Sequence, residues 1–213
     1  TAATRYSSEL WLIAAAIMMY FAFPFPFRMI ATGLAVPIGV LIVSLILRDI
    51  AGPLRKASAL GGERTWSIIF AVASVTATLA QGFSLGGYLR GFSIANGNYI
   101  GGLFGWATPF SALIAIALCA GYALIGSAWI NLRVSAEVGE EDSRRTAGLA
   151  IVSAFFMVVI SVAMLFVHPI VSARWGISLD GVDWRYFLPL APLPLSAATG
   201  LAAAFFCSRT RSS

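Results

Sequence analysis

The chain alternates long apolar runs with short polar breaks, and six runs qualify as membrane-crossing helices: Glu9 to Phe23, Met29 to Leu47, Ser67 to Leu89, Ala107 to Ile130, Thr146 to Val167 and Tyr186 to Cys207. The run from Ala107 to Ile130 carries no charged residue. At a rise of about 1.5 Å per residue it makes roughly 36 Å of helix against about 30 Å of hydrocarbon. The other home for such a helix, the core of a water-soluble protein, rarely holds so long a stretch without a charge. Trp106 stands just before this run and Trp129 close to its end. Indole rings favour the headgroup level, so the pair marks two membrane surfaces. The pattern predicts an all-α protein, a polytopic transmembrane helix bundle of about six spans.

Prolines and small residues add detail to that outline. Pro24 and Pro26 deny backbone donors between the first two runs, which predicts a tight reversal over 24–28 and an antiparallel hairpin. Pro37, flanked by Gly33 and Gly39, predicts a bend within the second span. Pro189, Pro192 and Pro194 predict an irregular start to the sixth. On the third run, Gly82, Gly86, Gly87 and Gly91 form overlapping small-xxx-small patterns, the signature of a helix that lets a neighbour approach closely. Gln81 is an amide deep in the same run, and it is expected to face protein because lipid offers it no partner.

Composition agrees with a membrane protein: 59% of residues are hydrophobic and 11% charged, with a mean hydropathy of +0.87. So few charges cannot clothe a water-soluble surface of this size. The net charge of +5 does not point to nucleic acid, because the basic residues fall between apolar runs rather than in one patch. They report topology instead. If the amino terminus is placed on one side, that side collects Arg5, Arg48, Arg55, Lys56, Arg64, Arg133, Arg144, Arg145, Arg209 and Arg211, leaving only Arg28, Arg90, Arg174 and Arg185 of the 14 basic residues for the other. The positive-inside rule then places both termini and the loops at 48–66 and 131–145 in the cytoplasm, and the loops at 90–106 and 168–185 outside. Cys119 and Cys207 are expected at different depths, as reduced packing thiols. Thr1 is not an initiator and no signal peptide is visible, so the chain is expected to begin partway through a longer precursor.

Candidate chemistry is sparse. Ion- and proton-driven transporters usually hold a charged group in the membrane interior, and here the acid nearest a span is Glu9, at the edge of the first. It is either a carboxylate placed at a helix amino end by the macrodipole or a proton-relay group. His168 is the sole histidine and cannot supply the facing pair of axial ligands that a bis-histidine haem requires. Met18, Met19, Met29, Met157 and Met164 are scattered along apolar faces and read as packing. Zinc-ligand spacing, a phosphate-binding glycine loop and a nucleophile triad are all missing. The cluster from Glu137 to Arg145 reads as a solvated cytoplasmic turn.

An ordered series of short motifs carries a resemblance. It runs through Glu9-Leu-Trp11-Leu-Ile, Leu47-Arg48 with Arg55 beyond it, Ala80-Gln-Gly, Leu85-Gly86 and Arg90-Gly91. It continues through Trp106-Ala-Thr-Pro-Phe110, Gly121-Tyr-Ala-Leu-Ile-Gly126 with Trp129, His168-Pro169, Ala173-Arg174-Trp175 and Leu190-Ala-Pro-Leu-Pro194. The series resembles subunit II of the cytochrome bd quinol oxidases, including their cyanide-insensitive branch. The resemblance implies a single transmembrane domain over residues 1–213 that is incomplete relative to the family, with its first and last helices absent. It also implies a haem-free chain in the bacterial inner membrane, paired as a heterodimer with a haem-bearing subunit I that holds haems b and d. In such a complex quinol is oxidised and oxygen reduced to water, subunit II stabilising its partner and contributing to oxygen and proton access. Trp11 matches a tryptophan associated with oxygen entry, and an ordinary interfacial anchor is the plainer reading of it. Membrane lipid and a bound quinone or lipid are further expected partners.

The family commonly reads W-D-G-N ahead of this tryptophan element, and its aspartate is implicated in proton delivery. Arg5-Tyr6-Ser7-Ser8 stand in those places, which puts proton conduction through this chain in question. Two other functions fit the residues: a transporter for a neutral solute, with proline-broken helices lining a cavity, and a non-catalytic membrane assembly subunit.

Overall fold

The computed structural model describes residues 14–57, 62–133, 140–167, 177–178 and 181–182. The chain divides into two compact units, Thr1–Cys119 and Ala120–Ser213. In the first unit, helix α1 is described over residues 14–22, and α2 spans Pro24–Gly33. The tight reversal expected at 24–28 is absent. Phe23, at φ −135° and ψ 63°, interrupts the helix for one residue, and hydrogen bonds from Phe23 N–H to the Met19 carbonyl (2.9 Å) and from Phe27 N–H to the Phe23 carbonyl (3.0 Å) carry the chain across. Pro24 and Pro26 fall in the first turn of α2, where a helix has no use for their missing N–H groups.

The second expected span is also redrawn. Helix α3 runs Ala35–Ala57, and the break before it falls at Leu34 (φ −113°, ψ 17°) rather than as a bend at Pro37. Pro37 lies in the first turn of α3 and has no N–H for the Gly33 carbonyl, so the interruption sits one turn upstream of the proline. The helix then continues through Pro53 to Ala57, making helix of much of what reads as a cytoplasmic loop.

Helix α4 occupies Glu63–Arg90 and packs on α3. Small residues are buried on both helices: Ser44 and Ala51 on α3, and Ala73, Ala77 and Ala80 on α4. Three hydroxyls along α4 are satisfied within their own helix, Ser74 donating to the Phe70 carbonyl (2.7 Å), Thr78 to the Ser74 carbonyl (3.0 Å) and Ser84 to the Ala80 carbonyl (2.8 Å). Back-bonding of this kind lets a hydroxyl sit in lipid. The loop expected at 90–106 contains an antiparallel ribbon of β1, Ile94–Ala95, and β2, Asn98–Tyr99. Asn96 and Gly97 turn it with φ of 50° and 73°, the doubly positive pattern of a type I′ hairpin.

Helix α5 covers Pro109–Arg133. Thr108 caps it, its Oγ1 accepting from Ser111 N–H at 3.1 Å, and Pro109 takes the first helical position where no donor is needed. In the second unit, α6 covers Glu140–Val167. The charge cluster read as a turn is therefore in part its first turns, with Asp142 and Arg145 paired at 3.8 Å and acids near the amino end where the helix dipole favours them. Within this unit Asn131 Nδ2 donates to Thr146 Oγ1 (2.8 Å), Thr146 donates to the Asp142 carbonyl (3.0 Å), and Ser127 and Thr146 share a short hydroxyl contact. A second ribbon pairs β3, Ile177–Ser178, with β4, Gly181–Val182.

Among the described residues, four helical stretches are long and apolar enough to cross a membrane: Ala35–Arg55, Glu63–Arg90, Pro109–Asn131 and Arg144–Val167. They correspond to the second through fifth expected spans. The first span reaches into the described residues only from position 14, and Tyr186 to Cys207, with its three prolines, lies outside them, as does His168.

Candidate functional site

The glycines singled out on α4 divide into two groups. Gly82, Gly86 and Gly87 are buried. A Cβ built at Gly82 would collide with the backbone of Ala115, and one at Gly86 with the backbone of Ser111. Two residues spaced by four on α4 thus meet two spaced by four at the start of α5, and the helices touch backbone to backbone. Ser111 and Ala115 are almost fully buried by this contact. Gly87 approaches Leu34 and Trp106 instead. Gly91 does not belong to the packed stripe: it is exposed and follows the last residue of α4 at φ 87°, where its N–H returns to the Tyr88 carbonyl at 3.1 Å. A side chain there would be strained, so Gly91 terminates the helix. Gln81 lies on the exposed side of α4 within this chain, and no described helix buries it. Glu9 and Trp11 lie outside the described residues.

Above this crossing the loop is an aromatic platform. Trp106 stacks edge-on with Phe83 (5.3 Å between centroids) and donates its indole N–H to the Leu103 carbonyl at 2.7 Å. Phe92 links Tyr88 (6.5 Å) to Tyr99 (6.1 Å), and the Tyr99 hydroxyl reaches the Gly102 carbonyl at 3.0 Å. Arg28 on α2 ties the hairpin down, donating to the Gly97 carbonyl at 2.9 Å. Sequence reading missed that link, because nothing local connects a cation after two prolines to a turn far along the chain.

At the other end of α3 and α4 is a polar pocket of about 600 Å³ lined by Arg48, Asp49, Gly52, Pro53, Arg55, Phe70 and Ser74. Arg48 Nε lies 3.9 Å from an Asp49 carboxylate oxygen, and the Arg55 guanidinium stands 5.2 Å from the centre of the Phe70 ring. A separate groove of about 670 Å³ between the same helices is almost wholly apolar, with Val36, Val40, Val43, Leu47, Ile68 and Val72 among its lining. No group of three His, Cys, Asp or Glu side chains that could hold a metal ion occurs among the described residues. What the geometry provides is a close helix contact, a pinned loop and a basic pocket.

A family model described as cytochrome bd terminal oxidase subunit II matches residues 6–213. The chain belongs to the cytochrome bd terminal oxidase subunit II family. Among curated proteins, none matches it. Membership makes this subunit II a component of an electron-transporting, quinol-oxidising membrane complex that contains at least one further subunit. The match takes in the Gly82–Ser111 crossing, the aromatic platform and the basic pocket alike, so all three belong to the subunit II frame rather than to an appended segment.

Proposed function

We propose that this chain is the haem-free subunit of a bd-type oxidase, holding the haem-bearing subunit in place and shaping the access of oxygen and protons to it. The observation that carries the reading is the family match across residues 6–213. The donor set supports it: with His168 as the sole histidine, the residues do not fit a bis-histidine haem, and haems b and d are assigned to the partner. Large apolar side chains stand exposed along the spans, among them Ile46 on α3, Val72 on α4, Ile116 on α5 and Phe155 on α6. Such surfaces require lipid or another subunit against them. In this reading the protein sits in the bacterial inner membrane with six spans and cytoplasmic termini, and residues 1–213 act as one transmembrane domain. Trp11 serves at the oxygen entry, Glu9 is the one candidate proton relay, and a quinone or lipid is held by the complex.

Co-expression tests it. The haem-bearing subunit produced with this chain should retain its haems and quinol oxidase activity, and should lose them when this chain is omitted. Separate purification of the two chains with full haem content and turnover would defeat the proposal. Trp11→Ala should lower turnover most at limiting oxygen while leaving the haem spectrum unchanged, an outcome that a mere interfacial anchor would not produce.

A further inference from the structure

The pocket at the end of α3 and α4 has the composition of an anion site at headgroup depth. Arg48, Gly52 and Arg55 follow one another at i, i+4 and i+7, which places them on one face of α3. Gly52 contributes no side chain, so the space between the two guanidinium groups stays open. Pro53 and Asp49 border it on α3, and Phe70 and Ser74 close it from α4. Asp49 offsets one of the two positive charges, but its carboxylate oxygen is 3.9 Å from Arg48 Nε, beyond ordinary hydrogen-bond distance. The contact of Arg55 is the Phe70 ring at 5.2 Å, which orients the guanidinium without neutralising it. Both cations therefore retain donors for a further acceptor.

Depth narrows the acceptor. Arg55 is the last residue of the apolar stretch Ala35–Arg55, and Arg48 lies two turns deeper, about 10 Å along the helix axis. That interval brackets the level of lipid phosphates, and arginine stems can converge on one group from both directions. A planar guanidinium pairs with phosphate oxygens in a fork, and basic pockets between transmembrane helices on a cytoplasmic face characteristically hold anionic headgroups. The count of basic residues assigns this end of α3 to the cytoplasm. We propose that Arg48 and Arg55 bind the phosphodiester of an anionic phospholipid of the phosphatidylglycerol type. The site depends on membrane embedding alone and stands or falls separately from the role of the subunit in oxygen reduction.

The experiment uses the purified complex containing the full chain, delipidated in mild detergent and then supplied with phosphatidylglycerol, phosphatidylcholine or inorganic phosphate. Hydrogen exchange across residues 48–57 of the unaltered protein should slow at least threefold with phosphatidylglycerol and remain unchanged with the other two. In native mass spectrometry, the combined substitution Arg48→Gln and Arg55→Gln should lower retention of phosphatidylglycerol by at least tenfold, while Arg90→Gln at the far end of α4 should leave it unchanged. Equal protection by phosphatidylcholine would show an unselective lipid groove. Protection by inorganic phosphate alone would show a free-anion site, and undiminished retention in the double variant would place the lipid elsewhere. Each of these three results overturns the proposal, and the exchange measurement needs no variant to fold.

Discussion

The contact between α4 and α5 at Gly82 and Gly86 makes a quantitative prediction. A Cβ added at Gly86 would lie 2.7 Å from Ser111 Cβ and 2.9 Å from Ser111 Oγ, where ordinary contact begins at 3.4 Å. Gly82 faces the same constraint, at 2.8 Å from Ala115 Cβ. With backbone on both sides of the contact, relief requires the helices to part by roughly 1 Å, which forfeits a quarter to a half of the dispersion energy of each facing atom pair. Overpacking of this kind costs about 1–3 kcal/mol. Against it, replacing glycine by alanine inside a helix gains about 0.5–1 kcal/mol. Gly86→Ala should therefore lose up to about 2.5 kcal/mol, and in every case fall about 1–3 kcal/mol below a variant that gains the propensity without the clash. Gly39→Ala, where nothing stands within 4 Å of the added carbon, should show the propensity gain alone. Gly82→Ala and Gly86→Ala together should cost less than their sum, because one separation of the helices relieves both clashes. Unfolding of the chain from mild detergent into increasing mole fractions of a denaturing detergent, followed by circular dichroism, measures all four variants. If Gly86→Ala proves as stable as Gly39→Ala, the helices do not meet as described and the reasoning fails.

Three further outcomes are expected. Arg28→Gln removes the donor that holds the Gly97 carbonyl at 2.9 Å, so amide exchange across residues 94–99 should accelerate severalfold with global stability lowered by no more than about 1 kcal/mol; unchanged protection would mean that the hairpin holds itself. Thr108→Ala deletes the cap on the Ser111 N–H and should cost about 1 kcal/mol, whereas Thr108→Ser should cost little, as read in the same detergent titration. Thr146→Val strips Asn131 and Ser127 of their common partner and should cost about 0.6–1.7 kcal/mol, from the average to the upper limit for a hydrogen bond between membrane helices. A neutral result there would show that both groups find other partners.

Sequence alone determined that this is a membrane protein, where its middle spans lie and which glycines matter on α4. Those properties depend on local length, hydrophobicity and spacing. It also carried the family, since the order of motifs survives without any knowledge of contacts. The task of each small residue is set by what packs against it or by its own backbone angles. Gly82 and Gly86 are required by backbone on α5, whereas Gly91, in the same pattern, is required by its own φ angle. Pro24 and Pro26 start a helix because Phe23 absorbs the interruption, a choice that local propensity does not dictate. The hairpin anchor at Arg28 and the pocket that Arg48 and Arg55 share with Phe70 join residues distant in the chain. Such juxtapositions depend on how helices pack, and the periodicity of a single apolar run carries no record of its neighbour.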